Sequence, residues 1–340
     1  MNSVFVFSGL LVLASIGCSS STSTNNILNP DSGVDEQKAC DDYASANCLK
    51  RQNCTNANVS AGAQILQLFG DMTTCHQRML SLCLNASHAV DTGFTPNQVE
   101  KCAAAHATWS CEDLLDNIPP TECSPVGTKS NGQPCGFSGQ CSTGFCSGNR
   151  LSACGVCADP PKTGDSCATS FCGHDQICVD STQACQVRGA LNASCDVATA
   201  ACGAGMTCTG AGTSPKTCQT AATAKDATCG ASTPGCYFAE GLWCTGTTAQ
   251  RTCAPIAYVP AGQACGTQSD GSLAVCRAGG CYTSSGPAAL TDLGTCKANA
   301  GDGQSCDTHL GPDCITPARC ETQDGGTSGT CEFPDAKSCG

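Results

Sequence analysis

Residues 132–157 read GQPCGFSGQCSTGFCSGNRLSACGVC, with cysteines at Cys135, Cys141, Cys146, Cys154 and Cys157. Little apolar material stands between them, and none of it recurs at helical spacing. The opening, a small residue three places before a cysteine, returns as GDSC at Cys167, NASC at Cys195, DATC at Cys229, GQAC at Cys265 and GQSC at Cys306. Each opening is followed by three further cysteines, the last set being Cys306, Cys314, Cys320 and Cys331. The spacing between openings runs from 28 residues (Cys167 to Cys195) to 41 (Cys265 to Cys306), so insertions fall in loops. Gly-containing stretches such as CSTGFC, CGAGMTC and CYFAEGLWC, between the second and third cysteines, suit tight turns and hairpins. The expected fold of residues 132–340 is therefore a tandem array of about six short β-hairpin and loop units. Four cysteines allow three connectivities, of which first-to-third with second-to-fourth is the expected one. The first unit holds one cysteine more than the others, and Cys339 stands alone after the last unit.

The whole chain has 35 cysteines in 340 residues, the density of a disulfide scaffold. Setting aside Cys18 leaves 35 − 1 = 34, which can close as 17 bridges. That many thiols stay orderly only as bridges in an oxidising compartment. Metal is the other use of dense cysteine, but Cys154-Gly155-Val156-Cys157 is the one Cys-x2-Cys pair, without a partner pair to complete a zinc site. Aromatic residues make up 4% of the chain, too few for a large core, which again points to small stapled units. The net charge is −12 with no basic patch, which excludes nucleic acid as a natural partner.

Residues 35–124 obey a different grammar. Cys40 and Cys48 stand eight apart in EQKACDDYASANCLKRQNC, and Cys75 and Cys83 eight apart in DMTTCHQRMLSLCLNA. A step of eight turns a helix by about 80°, so each pair shares a broad face. Two antiparallel helices would join Cys40 to Cys83 and Cys48 to Cys75. Asp71 is a candidate N-cap, as is Thr95 ahead of Pro96. Cys102 and Cys111, nine apart in TPNQVEKCAAAHATWSCEDLLD, point to different neighbours. This helical domain holds eight cysteines with Cys54 and Cys123, a closed set of four bridges, and His76 and His106 are expected on helix surfaces.

At the N-terminus, Val4 to Ile16 is apolar apart from Ser8, Gly9 and Ser15, too short to span a bilayer and right for a signal segment. Gly17-Cys18 follows. The stretch resembles a bacterial lipoprotein signal, which implies that residues 1–17 are removed and that Cys18 carries the lipid. Residues 18–34, with the run SSSTSTNNILNP, form a polar linker. By the same resemblance, Ser19 favours an outer-membrane address facing an oxidising compartment.

The cysteine grammar resembles the Dickkopf N-terminal type of module, with its G-x-x-C opening and a similar third position at Gly144-Phe145-Cys146. It is more similar to cysteine-rich lipoproteins of myxobacterial type, which join a helical cysteine-rich segment to such repeats. The resemblance implies a small disulfide-rich fold and a cell-envelope location. It implies no activity, since that family carries none that is established.

The chemistry that residue types could carry is sparse. Cys154 and Cys157 form a thioredoxin-like CGVC, but without the strand and helix that lower a thiol's pKa, so structural bridging is expected. His76, His88, His106, His174 and His309 form no metal-binding pattern. Tyr237, Phe238 and Trp243 are a candidate binding patch or, more plainly, a small core over a bridge. Asn53, Asn58, Asn85 and Asn192 lie in glycosylation sequons, idle in a bacterial lipoprotein. We expect no catalytic residues, metal or cofactor. The expected function is a lipid-anchored binding or structural module whose partner is an extracellular protein or glycan. The rivals are a secreted Dickkopf-like ligand and an extracellular thiol-disulfide oxidoreductase using Cys154 and Cys157.

Overall fold

Asp35 opens the first helix, its carboxylate accepting from the Lys38 backbone N–H at 2.9 Å. This helix, α1 (Glu36–Asn53), carries Glu36 in its first turn and Lys50 and Arg51 in its last, the order the helix dipole favours. After the short α2 (Ala63–Leu68), Asp71 caps α3 (Met72–Ser87) through Thr74. Thr95 caps α4 (Pro96–Ala105), with Pro96 in its first turn. The structure, a computed structural model, describes residues 33–340 except 56–61, 116–117, 149–153, 169–171, 174–175, 180–181, 197–201, 211–214, 231, 248–249, 323–325, 336–338 and 340. The expected signal segment, Cys18 and nearly all of the polar linker lie outside the described residues, as do Asn58 and His174.

Helices α1 and α3 run antiparallel and are joined by Cys40–Cys83 and Cys48–Cys75. The apolar core gathers around these two bridges, with Ala44, Ile65, Phe69 and Met79 at one and Ala39 and Val99 at the other. The stretch that reads as one helix through Cys102 and Cys111 is two. It stops at Ala105, and α5 (Cys111–Leu115) starts afresh, with Ser110 Oγ accepting from Asp113 N–H at 3.0 Å. The break lets Cys111 reach Cys54 while Cys102 bonds Cys123.

The six repeat units share one build. In each, the third and fourth cysteines face each other across an antiparallel strand pair: Cys178 and Cys185, Cys208 and Cys218, Cys244 and Cys253, Cys281 and Cys296, Cys320 and Cys331. In the first unit Cys146 and Cys157 take these places. The paired cysteines do not bond each other. The first cysteine of the unit takes the nearer strand's and the second takes the farther strand's, as in Cys306–Cys320 and Cys314–Cys331. The same order holds in the other five units.

The opening position has a physical reason. Gly132, Gly164, Asn192, Asp226, Gly262 and Gly303, each three before a first cysteine, all have positive φ, between 64° and 94°. Glycine adopts this region freely, and Asn and Asp tolerate it best among the others. Their backbone N–H groups each donate to the carbonyl of the unit's last hairpin cysteine, from Cys157 to Cys331, at 2.8 Å. The opening is thus a tight turn that places the first cysteine beside the hairpin it must staple.

From Val34 to Gly340 helices and repeats form one compact unit. The repeats lean on the helices at several places. Gly93 N–H donates to Gly139 O and Gln140 Nε2 to Val90 O in the first unit. Gly205 of the third unit leaves space for the Glu112 side chain of α5, which a Cβ would occupy. Ala278 N–H and Arg277 Nε of the fifth unit donate to Leu66 O and Gly70 O. The C-terminal segment returns to α3, where Asn85 Nδ2 donates to Pro334 O at 3.1 Å. There Cys154 of the first unit bonds Cys339, across 185 residues of chain.

Candidate functional site

Arg78 ties the helices to the repeats. Its side chain, 13% exposed, pairs with Asp302 at 2.6 Å and donates to the carbonyls of Ile315 and Thr316. The Phe333 ring lies 4.6 Å from the guanidinium carbon. A largely buried guanidinium with this many acceptors docks the sixth unit on α3.

His106 is not on a helix surface. It is 2% exposed, because α4 ends there and its ring turns inward between Tyr43 (centroids 5.6 Å apart) and Trp109 (5.1 Å). Its Nδ1 lies 2.7 Å from Cys102 O and its Nε2 3.1 Å from Asn47 Nδ2. With Nδ1–H donating and Nε2 accepting, the ring is a neutral imidazole. Burial lowers its pKa below the ordinary 6.5, against the opposing pull of the Cys102 carbonyl. Cys102, His106 and Cys123 stand close enough to share a metal, but the two sulfurs are bonded to each other. His76 remains half-exposed on α3, with Nε2 3.2 Å from Asp41.

Cys154 and Cys157 are not bonded to each other. Cys157 joins Cys141 inside the first unit and Cys154 joins Cys339. The CGVC stretch therefore holds no dithiol in this structure. Of the aromatic trio, Tyr237 is buried at 7% exposure, while Phe238 and Trp243 are half-buried. Phe238 starts the short turn Phe238–Glu240, which packs toward α2, and Trp243 sits on the strand Leu242–Thr247 opposite Ala254.

Two clefts open on the helical part. The smaller, about 110 Å³, is walled by Tyr43 of α1, Leu82 and Ala86 of α3, Val99 of α4, Phe94, and Phe137 from the first unit. Gln98 and Glu122 form its polar rim. The larger, about 690 Å³, shares Glu122 with it and is lined by Lys101, Trp109, Asp113, Ile118 and the Pro119-Pro120 pair among others. Tyr43, Phe94 and Phe137 are far apart in the chain and no motif links them, so sequence reasoning passed them over. A third cleft of about 250 Å³ lies beside α2 and the fifth unit, with Gln67, Tyr282 and Asp313 among its walls. Tyr282 O–H donates to Asp313 at 2.6 Å, and burial with that carboxylate raises its pKa.

Taken together, these features define a disulfide-rich protein of an oxidising compartment, with a small helical hub and many short strand pairs. Among the described residues no helix is long and apolar enough to cross a membrane. No family model, no curated protein and no solved structure matches the chain.

Proposed function

We propose that this protein is a lipid-anchored, non-catalytic module of the cell envelope, which binds an extracellular protein or glycan or acts as a structural element. The observation that supports it best is the framework. All 34 cysteines from Cys40 to Cys339 are bonded, so rigidity comes from covalent staples and loop residues remain available for contact. Small rigid units carrying loops of unequal length suit surface recognition. The apolar Val4–Ile16 run, Gly17-Cys18 and the polar linker support the anchor, and the resemblance to myxobacterial-type cysteine-rich lipoproteins with Dickkopf-like repeats supports the envelope location. The test is intact mass and membrane fractionation of the wild type beside Cys18→Ser. A diacylated, membrane-bound wild type and a released variant are expected. Unchanged partitioning of the variant would remove the anchor from this reading.

A further inference from the structure

The smaller cleft of the hub combines three features that point to one ligand chemistry. Its volume, about 110 Å³, approaches that of apolar cavities of about 150 Å³ that take up benzene. Its walls collect three of the chain's fifteen aromatic residues (Phe 9, Tyr 4, Trp 2), namely Tyr43, Phe94 and Phe137. Tyr43 and Phe94 pack on one side against the hub's core, and with Phe137 they turn the rest of their partly buried surface toward this crevice. The rim carries one carboxylate, that of the exposed Glu122, on a turn tied to α4. Gln98 Nε2 donates to Glu122 O at 2.6 Å across from α4, and Cys102–Cys123 staples the same turn. Thr121 Oγ1 donates to the Glu122 carboxylate at 3.2 Å. Among the described residues no Lys, Arg or His lies within ion-pair distance of Glu122, although Lys101 lines the neighbouring groove.

We propose that this crevice binds a small apolar ammonium compound, with a compact hydrocarbon or aromatic group between Phe94, Phe137 and Leu82 and its cationic head at Glu122. The net charge of −12 favours the approach of a cation. A carboxylate twin of the same shape meets the same walls but is repelled at the rim. This site requires neither the lipid anchor nor the envelope address, so its failure leaves that reading standing and its success does not prove it.

The experiment uses the full disulfide-bonded protein, with 2-phenylethylammonium and 3-phenylpropionate as probes, read by calorimetry and ligand-observed NMR. Saturable binding of the ammonium is expected, with Kd on the order of 0.1–1 mM for so few atoms. Ala86→Leu, which fills the crevice floor, should weaken it about tenfold, at the cost of roughly one buried aromatic contact. Phe137→Ala removes an outer wall without filling the core, and should weaken binding by a similar factor even if the first variant folds poorly. Glu122→Gln should weaken the ammonium about fivefold and leave the carboxylate unchanged or improved. Equal binding of the two probes to the wild type overturns the proposal, as does no saturable binding or affinity unchanged in both wall variants.

Discussion

The hub and the repeats use the same bond for different purposes. Hub bridges join residues 21 to 57 apart, between helices whose shape hydrogen bonding already sets. Repeat bridges, apart from Cys154–Cys339, join residues 11 to 20 apart, and in most units the sulfurs themselves are the core. Around Cys48–Cys75, by contrast, Ile65, Phe69 and Met79 pack with the sulfurs. The difference teaches where stability resides. In the hub a staple adds to apolar packing, whereas in a repeat it replaces that packing.

The harshest way to break this comparison is at the clasp, which belongs to neither pattern. In the chain-entropy view, closing a loop of 185 residues stabilises by up to about 5 kcal/mol. Cys154→Ser with Cys339→Ser should show the largest fall in thermal midpoint, yet hydrogen exchange should leave protection inside each unit intact. Exchange that melts all six units together would show that they are not independent.

A staple inside a unit comes next. Cys306→Ala with Cys320→Ala removes the centre of a core formed by Ala300, Cys306, Cys320 and Cys331, at about 3 kcal/mol. Protection should vanish across residues 303–331 and persist in the third unit. The matching hub variant, Cys40→Ala with Cys83→Ala, should keep its helical circular dichroism at room temperature because packing remains. Equal collapse of the two would erase the distinction drawn above.

The joint between the regions carries a smaller effect. Arg78→Ala leaves the carbonyls of Ile315 and Thr316 and the Asp302 carboxylate without their cation, at about 2 kcal/mol. Exchange should quicken at the seam of α3 and the sixth unit rather than at the first. Within the units, Gly262→Ala places a Cβ at φ +84°, which costs about 1 kcal/mol, while Asn192→Gly at φ +66° changes little, since Asn tolerates this region and the substitution gives up only the hydrogen bond that Gln219 Nε2 donates to Asn192 Oδ1. Denaturation monitored unit by unit should show the larger loss for Gly262→Ala.

Acid separates the regions most gently. His106 is buried as a neutral ring with a lowered pKa, so its contribution is complete above pH 6.5 and is lost as pH falls below that value and through the lowered pKa. In the sixth unit, Asp307 accepts from the backbone of Leu310, the Ser328 hydroxyl and the backbone of His309, which depresses its pKa from 3.8 to about 2. Its contribution holds above pH 3.8 and fades as pH falls toward 2. Lowering pH from 7 to 5 should therefore loosen the hub, read by Trp109 fluorescence, while the sixth unit keeps its exchange protection. His106→Gln should flatten the hub's response, and an unaltered pH profile in that variant would exclude His106 as its origin.

Local patterns reach far in this molecule. The G-x-x-C opening marks a turn that needs positive φ, which is why Asn192 and Asp226 replace glycine there and a β-branched residue does not. Asp71 and Thr95 mark helix starts because a side-chain oxygen must satisfy a free N–H within three residues. Sequence spacing also separates the eight hub cysteines from the 26 of the repeats. Four things waited for the tertiary structure. The break after Ala105 follows from where Cys54 lies, and His106 turns inward because Asn47, Tyr43 and Trp109 surround that point. The gathering of Tyr43, Phe94 and Phe137 and the closing of Cys154 on Cys339 join residues tens to hundreds of positions apart. Local spacing determines turns, caps and short staples, since each is settled within a few residues. Long closures depend on how the units lie on the hub, which no local pattern encodes.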